Sequence, residues 1–358
     1  MDLSLIASMS DYLMYRHDFT TTRGFSKYTA QRSEDAERYL SKKKEIVKNA
    51  DDLDVALRQQ VADVCKGQKV ALALSGGIDS AILASYLPPG TKAYTFRCVV
   101  PGVEVIDESC QAEKYAQKFD LDWSVVDILF KDVEDSVDEL MIHKGAPLHS
   151  IEVQIYKAAN IAKSSGVETM IFGELADAYY GGQSSIFSKE WMLREFVNRY
   201  SYINPADVLK LYEYNVRPCL RHTRKDGYVD VLEFFRNEYA VESIASYLNA
   251  CSLAGLKMCA PFARTWLGLP LDYNRIKRGE NKYIVRELFL KKYPGWSVPP
   301  KIPMPRATNE WFAKWSGPVR KEFIPNCHVG FTGDQCWLLY CLERYLNLIE
   351  ERYGYEGV

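Results

Sequence analysis

The stretch that most constrains this fold is an apolar run at residues 69–74 that leads into Ser75, Gly76 and Gly77. A short apolar run bounded by turn residues predicts a buried parallel strand, and helix-forming residues begin directly after Asp79. Two glycines permit a tight turn and a close approach of backbone to ligand. A turn of this kind between a strand and a helix can bind a phosphate or pyrophosphate group through its amides.

The side chains of this turn also suit a nucleotide. Ser75 and Ser80 can add hydroxyl donors, whereas Asp79 places a carboxylate where phosphates would lie. A carboxylate beside phosphates requires a cation between them, and Mg²⁺ prefers hard oxygen ligands. The Gly-x4-Gly-Lys-Ser/Thr spacing of the ATPase P-loop is missing. We therefore expect an ATP-binding loop of another type.

Strands and helices alternate after this loop. Further strands are predicted at 93–99, 122–126 and 169–172, and helices at 51–65, 108–118 and 151–164. Such alternation predicts an α/β fold, a parallel sheet wrapped by helices, with ligands at the carboxyl ends of its strands.

The remaining segments predict helical additions and loops. Residues 34–48 and 186–255 read as helical, the Pro-rich 294–306 as an extended loop, and Thr332 with Gln335 as the capping box of a last helix. We take 1–50 as an N-terminal extension and 51–358 as the main domain.

A second motif repeats the logic of the first. The strand at 169–172 runs into Gly173, and the acidic residues Glu174 and Asp177 follow. Because the carboxyl ends of parallel strands lie at one edge of a sheet, Asp79 and Asp177 could hold one Mg²⁺ on the ATP phosphates.

Together the two motifs resemble the synthetase domain of the asparagine synthetase family, including the β-lactam synthetases, within the ATP pyrophosphatase (adenine nucleotide α-hydrolase-like) superfamily. The family pattern is Ser-Gly-Gly-x-Asp-Ser, then a strand like Tyr94-Thr-Phe96, then a Gly-Glu…Asp…Gly-Gly loop. The likeness continues at 253–262, 281–288 and 300–301, and so covers residues 50–345.

The resemblance implies a role for each matching residue. Ser75, Gly76, Gly77, Asp79 and Ser80 would hold the pyrophosphate of ATP, and Asp79 and Asp177 would ligate Mg²⁺. Phe96 and Gly173 would frame the adenosine. Glu174 would face the reacting acyl group, and Lys282 and Lys301 would lie near the phosphates and the adenylate.

Several positions depart from the family. Residue 2 is Asp where the family has a nucleophilic Cys, and too few residues precede the core for a glutaminase domain. Ammonia would then come from solution or a separate glutaminase subunit, or the nitrogen from an amine. Leu175, Ala178 and Ala263 replace family residues on the substrate side, so the acid is not expected to be aspartate.

Composition limits the alternatives. The net charge of −2 favours neither nucleic acid nor an anionic membrane as a partner. Nine cysteines without a Cys-x-x-Cys pair are typical of reduced thiols, and no signal peptide or membrane-spanning run is present, so we expect a cytoplasmic protein. Five scattered histidines, including His149, lack metal-ligand spacing, and structural roles are the simpler interpretation.

These observations predict an ATP-dependent, AMP-forming carbon–nitrogen ligase acting on a small-molecule carboxylate. Two alternatives stay open: a synthetase that closes a lactam within one molecule, and a nucleotide-binding subunit without ligase activity. A tRNA-thiolating enzyme also uses a pyrophosphate loop, but the absence of Cys-x-x-Cys and of positive charge disfavours it.

Overall fold

The protein was analysed as a computed structural model, which describes residues 3–20, 24–27, 33–302 and 304–354. The strands are β1 (Glu45–Val47), β2 (Val70–Ala73), β3 (Lys92–Cys98), β4 (Asp122–Ile128), β5 (Thr169–Ile171), β6 (Lys257–Cys259) and β7 (Thr265–Leu267).

The helices fall before, between and after these strands. They are α1 (Leu3–Tyr15), α2 (Ser33–Leu40), α3 (Ala50–Cys65), α4 (Ile78–Ala84), α5 (Ser109–Lys118), α6 (Phe130–Lys144), α7 (Glu152–Ser164), α8 (Ala176–Tyr179), α9 (Ser184–Phe187), α10 (Leu193–Tyr200), α11 (Arg217–Leu220), α12 (Val231–Phe234), α13 (Ala240–Leu253), α14 (Tyr273–Lys277), α15 (Tyr283–Lys292), α16 (Thr308–Phe312) and α17 (Gly333–Tyr353). Short 3₁₀ turns lie at Phe25–Lys27, Pro205–Asp207 and Pro261–Arg264, and a π-helical turn at Phe235–Tyr239 joins α12 to α13.

Five strands form one parallel sheet in the order β4-β3-β2-β5-β6. Helices α3, α4 and α15 pack together, as do α6, α7 and α13. A sheet covered on both faces explains why β3 and β5 are mostly buried along their whole length. The predicted α/β fold with a parallel sheet wrapped by helices is confirmed.

The order of the strands places a crevice beside β2. From β2 the chain proceeds to β3 and β4 on one side, and later to β5 and β6 on the other. Ligands of open α/β sheets bind where the order reverses, outside the carboxyl ends of the strands. The loops that follow β2 and β5 meet at this point.

The predicted elements of the sheet are confirmed within two residues at each end, and the last helix begins at the expected capping box of Thr332 and Gln335. The helix predicted over 34–48 is wrong in its second half. Helix α2 ends at Leu40, and Glu45–Val47 instead pairs in parallel with Thr265–Leu267. Strand β1 was not predicted because it is only three residues long and lies in a charged segment.

Several elements have no counterpart in the sequence prediction, and α6 and β6 are two of them. Helix α6 buries Val133, Val137, Leu140 and Met141 at helical spacing and ends at Gly145 in the left-handed region. Strand β6 is only three residues long and extends the sheet beyond β5.

Residues before 50 also belong to the core. Leu5, Met9, Tyr12 and Leu13 of α1 are fully or almost fully buried, and α1 packs against α17. All nine cysteines are unpaired. Across the described parts of the chain, every helix is too short or too polar to span a bilayer.

Candidate active site

The loop after β2 is held in shape by its own serines. Ser75 N–H donates to Ser80 Oγ at 3.0 Å, the two hydroxyl oxygens lie 2.9 Å apart, and Gly77 N–H donates to Ser75 Oγ at 3.1 Å. Ser80 is buried, so its hydroxyl fixes the turn rather than reaching into open space. Ser75, Gly77, Asp79 and Ser80 line a cavity of about 230 Å³, which we call the first cavity.

Gly76 lies behind this lining. A Cβ at Gly76 would come 3.0 Å from Cβ and 3.1 Å from Oε2 of Glu108, the residue just before α5. Glu108 is buried and accepts the Gly76 N–H, and burial raises its pKa to about 7. The Glu108 carboxyl group therefore accepts the hydrogen bond that the Gly76 amide would otherwise donate to a phosphate oxygen. Sequence reasoning missed Glu108 because no motif marks it.

The loop after β5 touches the first loop through a glycine. A Cβ at Gly173 would lie 3.0 Å from Cβ of Asp79 and 3.1 Å from the backbone nitrogen of Ser80. A side chain at Gly173 would therefore push against backbone that cannot give easily. This contact requires glycine at the crossing of the two motifs.

Two aspartates and two lysines form the centre of the first cavity. Lys282 Nζ lies 2.6 Å from Asp79 Oδ2 and 2.8 Å from Asp177 Oδ1, and Lys301 Nζ lies 2.9 Å from Asp177 Oδ2. Lys282, just before α15, has a φ of 52°, which an L-residue rarely adopts, and its side chain is buried. Four predicted residues from four separate segments thus meet.

The charged groups in this cluster shift the pKa values of one another. Burial raises the pKa of Asp79, and the neighbouring Asp177 adds to the rise although Lys282 opposes it. For Asp177 burial also acts to raise the pKa, but Lys282 and Lys301 outweigh it and lower the value to about 2. The pKa of Lys282 is raised because the attraction of both aspartates exceeds the cost of its burial. The cluster is thus a buried ammonium between two carboxyl groups, of which Asp177 is charged at neutral pH.

The two aspartates fit Mg²⁺ in one specific way. Among the described residues, no group of three or more His, Cys, Asp or Glu side chains is placed to hold a metal alone. Oδ1 of Asp79 is nevertheless buried without a hydrogen-bond partner in that part of the chain. Mg²⁺ is usually held by one or two carboxylates together with substrate phosphates and waters. Asp79 and Asp177 fit an ion that arrives with a nucleotide.

Glu174 lies on the other wall of the cavity. Ser243 of α13 donates to its Oε1 at 2.8 Å, and Tyr247 of the same helix is a second hydrogen-bond partner. Burial raises the pKa of Glu174 above its ordinary value, although these donors oppose the shift. Neither Ser243 nor Tyr247 carried a sequence signal, because both lie on a helix with no motif of its own.

The predicted adenosine contacts are also at the cavity. Phe96 and Tyr94 of β3 line it beside Phe172 and Gly173 at the end of β5. Phe96 is only 8% exposed, so its ring offers the cavity an apolar wall. All the predicted site residues except Gly76 line one continuous space.

A larger second cavity of about 420 Å³ adjoins the first, and we call it the second cavity. Glu174, Asp177 and Lys301 line both, with Tyr239, Tyr247 and Met304. Of the three positions that depart from the family pattern, Leu175 lines the first cavity, whereas Ala178 and Ala263 are fully buried and line neither.

Comparison with known proteins identifies a matching family. The family model for asparagine synthase matches residues 52–254, more than half of the chain. The solved structure of NMN synthetase from Francisella tularensis aligns with 72% of this chain and 100% of its own, with 13% identity and a TM-score of 0.28. No curated protein matches.

Proposed function

Because this chain belongs to the asparagine synthase family, we propose that it is an ATP-dependent, AMP-forming amide ligase. It would activate a small carboxylate as an acyl-adenylate, release pyrophosphate, and transfer the acyl group to ammonia or an amine. The observation that carries the proposal is the meeting of Asp79, Asp177, Lys282 and Lys301 at the crevice between β2 and β5, beside a glycine-rich loop.

The first step needs compensation of negative charge. A carboxylate oxygen of the acid attacks the α-phosphorus of ATP, and the bond to the β-phosphate oxygen breaks as pyrophosphate leaves. Lys282 and Lys301 place two ammonium groups at the cavity centre, where charge on pyrophosphate would be stabilised. Mg²⁺ held by Asp79 and Asp177 would neutralise further phosphate charge.

The loop must exchange partners when phosphates bind. The amides of Ser75, Gly76 and Gly77 are taken by Ser80 Oγ, Glu108 and Ser75 Oγ, respectively. When a phosphate oxygen accepts the Gly76 N–H, it takes the place of the Glu108 carboxyl group, whose pKa is raised to about 7. A charged Glu108 would repel the phosphate, whereas a protonated one would not. This favours nucleotide binding when Glu108 is protonated.

The second step needs a base. The nitrogen attacks the acyl carbon, AMP leaves with the oxygen that came from the acid, and one proton must be removed from nitrogen. Glu174 lies between the two cavities, and its raised pKa brings it nearer to neutrality, where a general base works best. Ser243 fixes the orientation of the carboxylate. The nitrogen donor would be ammonia, free or delivered by a separate glutaminase subunit, or an amine.

The test is ATP-dependent pyrophosphate release with Mg²⁺, across a panel of carboxylic acids with and without ammonium. We expect one class of acid to stimulate release and ammonium to raise the yield of amide. A cyclised product formed without ammonium would instead indicate lactam closure. ATP binding without release for any acid would contradict the ligase proposal and favour a nucleotide-binding subunit.

A further inference from the structure

The second cavity combines residues of the stretch that matches the family model with residues from segments outside it. Arg16 comes from the end of α1, Arg306 from the loop before α16, and Asp334 and Trp337 from α17, whereas the match covers 52–254. The cavity opens beside Glu174 and Lys301, where the reacting carboxylate of our proposed function would lie. The second cavity is therefore placed to select the acid that this chain uses.

Arg16 and His149 line one part of the second cavity, which we call its floor. The backbone of Arg16 lies in the left-handed region with φ 59°, and its side chain is only 12% exposed. The guanidinium lies 3.2 Å from Glu242 Oε2 and 4.1 Å from the centre of the Tyr202 ring. Nε of Arg16 is buried and, within the described residues, has no hydrogen-bond partner. An L-residue held in this conformation with an unused donor indicates a position selected for something besides packing.

Like Nε of Arg16, which has no partner among the described residues, His149 indicates that a hydrogen-bond acceptor is missing here. Its Nδ1 accepts the Ile151 N–H at 3.1 Å, so the proton of a neutral ring lies on Nε2, which faces Arg16 NH1. Burial and the nearby Arg16 lower the pKa of His149 and keep the ring neutral. Two donors therefore face each other at the floor. The two nitrogens are in direct contact, and an anionic oxygen that displaced this contact would accept from both.

The remaining charges leave this end of the cavity positive. Arg306 pairs with Asp334 at 2.9 Å and also donates to Ser150, while Arg199 has only the Ser185 hydroxyl as a partner in the described chain. Arg16 is balanced by Glu242, and burial raises the pKa of that carboxyl to about 7. Apart from Glu174, Asp177 and Lys301, which the second cavity shares with the first, its charged lining is three guanidinium groups and two carboxyl groups, one of them only partly ionised at neutral pH.

The walls between the two ends are aromatic. Tyr200, Tyr202 and Tyr239 line the cavity, and their hydroxyls make no hydrogen bond to another described residue. Phe235 and Trp337 complete the aromatic surface. Flat rings with free hydroxyls suit a flat ligand that carries polar edges.

We propose that the second cavity binds the acyl substrate, and that this substrate is a carboxylic acid with a flat, ring-containing body and a second anionic group, which Arg16 and His149 bind at the floor. The proposal rests on the ligase function, since the reacting carboxylate must reach Glu174 and Lys301. Bidentate binding by a guanidinium favours a carboxylate or a phosphonate-like group at the far end.

The experiment measures binding of three probe acids by calorimetry without ATP: phenylacetate, 4-carboxyphenylacetate and 4-phosphonophenylacetate. We expect the two acids that carry a second anionic group to bind about tenfold or more tightly than phenylacetate. Comparing these two acids shows which anionic group the floor prefers. Equal affinities of all three acids, or no binding of any, would overturn the proposal.

The variant Arg16→Gln/Glu242→Gln removes both charges of the buried pair, so neither is left unpaired. We expect the preference for acids with a second anionic group to vanish in this variant. Arg16→Lys should retain part of the preference, and Arg344→Gln, which alters a half-exposed pair with Asp138, should retain all of it. Equal weakening of all three acids in the double variant would mean that Arg16 is only structural. Binding of a fluorescent ATP analogue reports that the first cavity is intact. Because no turnover is needed, failure of the ligase proposal would leave this result readable by itself.

Discussion

The ammonium of Lys282 lies 2.6 Å from Oδ2 of Asp79, although 203 positions separate the two residues in the sequence. The same ammonium lies 2.8 Å from Asp177 Oδ1, so one lysine joins the carboxylates that follow two neighbouring strands. Without this positive charge, two buried carboxylates would face each other across the crevice. The lysine therefore contributes to the fold as well as to the proposed chemistry.

Lys282→Met should lower the free energy of unfolding by about 3 kcal/mol, because it leaves buried carboxylates without their partner. Lys301→Met is the matched control, because the Lys301 side chain is 40% exposed and, within the described residues, has one ion pair, to Asp177, and one hydrogen bond, to the Gly182 carbonyl. Its effect should stay below about 1 kcal/mol. Urea denaturation at pH 7 measures both. Equal losses in the two variants would contradict the assigned role of Lys282.

Gly173→Ala tests the contact between the two loops. The added Cβ would meet Asp79 Cβ at 3.0 Å and the Ser80 nitrogen at 3.1 Å, so the first loop must move. We expect ATP affinity to fall about tenfold or more while the far-ultraviolet dichroism stays unchanged. Unchanged ATP affinity would show that the crossing tolerates a methyl group and that the loop position does not depend on Gly173.

Glu174→Gln separates the two half-reactions. The amide keeps the shape and the hydrogen bond from Ser243 but cannot take a proton. ATP binding and pyrophosphate release should persist, whereas amide formation should fall about 100-fold or more. In the wild type the amidation rate should rise with pH through the raised pKa of Glu174, and the variant should lack that rise. Normal amide turnover in the variant would remove Glu174 from the role of base.

Glu108→Gln tests the carboxyl group that holds the Gly76 amide. The pKa of Glu108 is raised to about 7, so the group is neutral below that pH and charged above it. A charged Glu108 would repel phosphates, and ATP affinity in the wild type should therefore fall by about tenfold between pH 6 and 8.5 relative to the variant. Parallel pH profiles for wild type and variant would contradict this.

Much of the first cavity could be predicted from the sequence, because the two loops that line it directly follow predicted strands. Ser75–Ser80 and Gly173–Asp177 each come directly after a predicted strand, and parallel pairing brings those strand ends to one edge. Lys282 and Lys301 carry no local signal of this kind, and only the family resemblance placed them near the nucleotide.

The other site residues could not be predicted from the sequence, because long-range packing brings them to the cavities. Glu108 reaches Gly76 from the start of α5, Ser243 reaches Glu174 from α13, and Arg16 reaches the second cavity from a segment predicted as an extension. None of these contacts follows from local periodicity, because each depends on how distant helices pack. Strand β6 was missed for a related reason, since three residues are too few to show a period.

Oxygen transfer from the acid to AMP tests most directly whether the acid is activated as an adenylate. The stimulating acid would be labelled with ¹⁸O in its carboxylate, turned over with ATP, Mg²⁺ and ammonium, and the products analysed by mass spectrometry. Activation at the α-phosphorus predicts one ¹⁸O in AMP and none in pyrophosphate. Label in inorganic phosphate together with ADP would show activation at the γ-phosphorus and contradict adenylation of the acid.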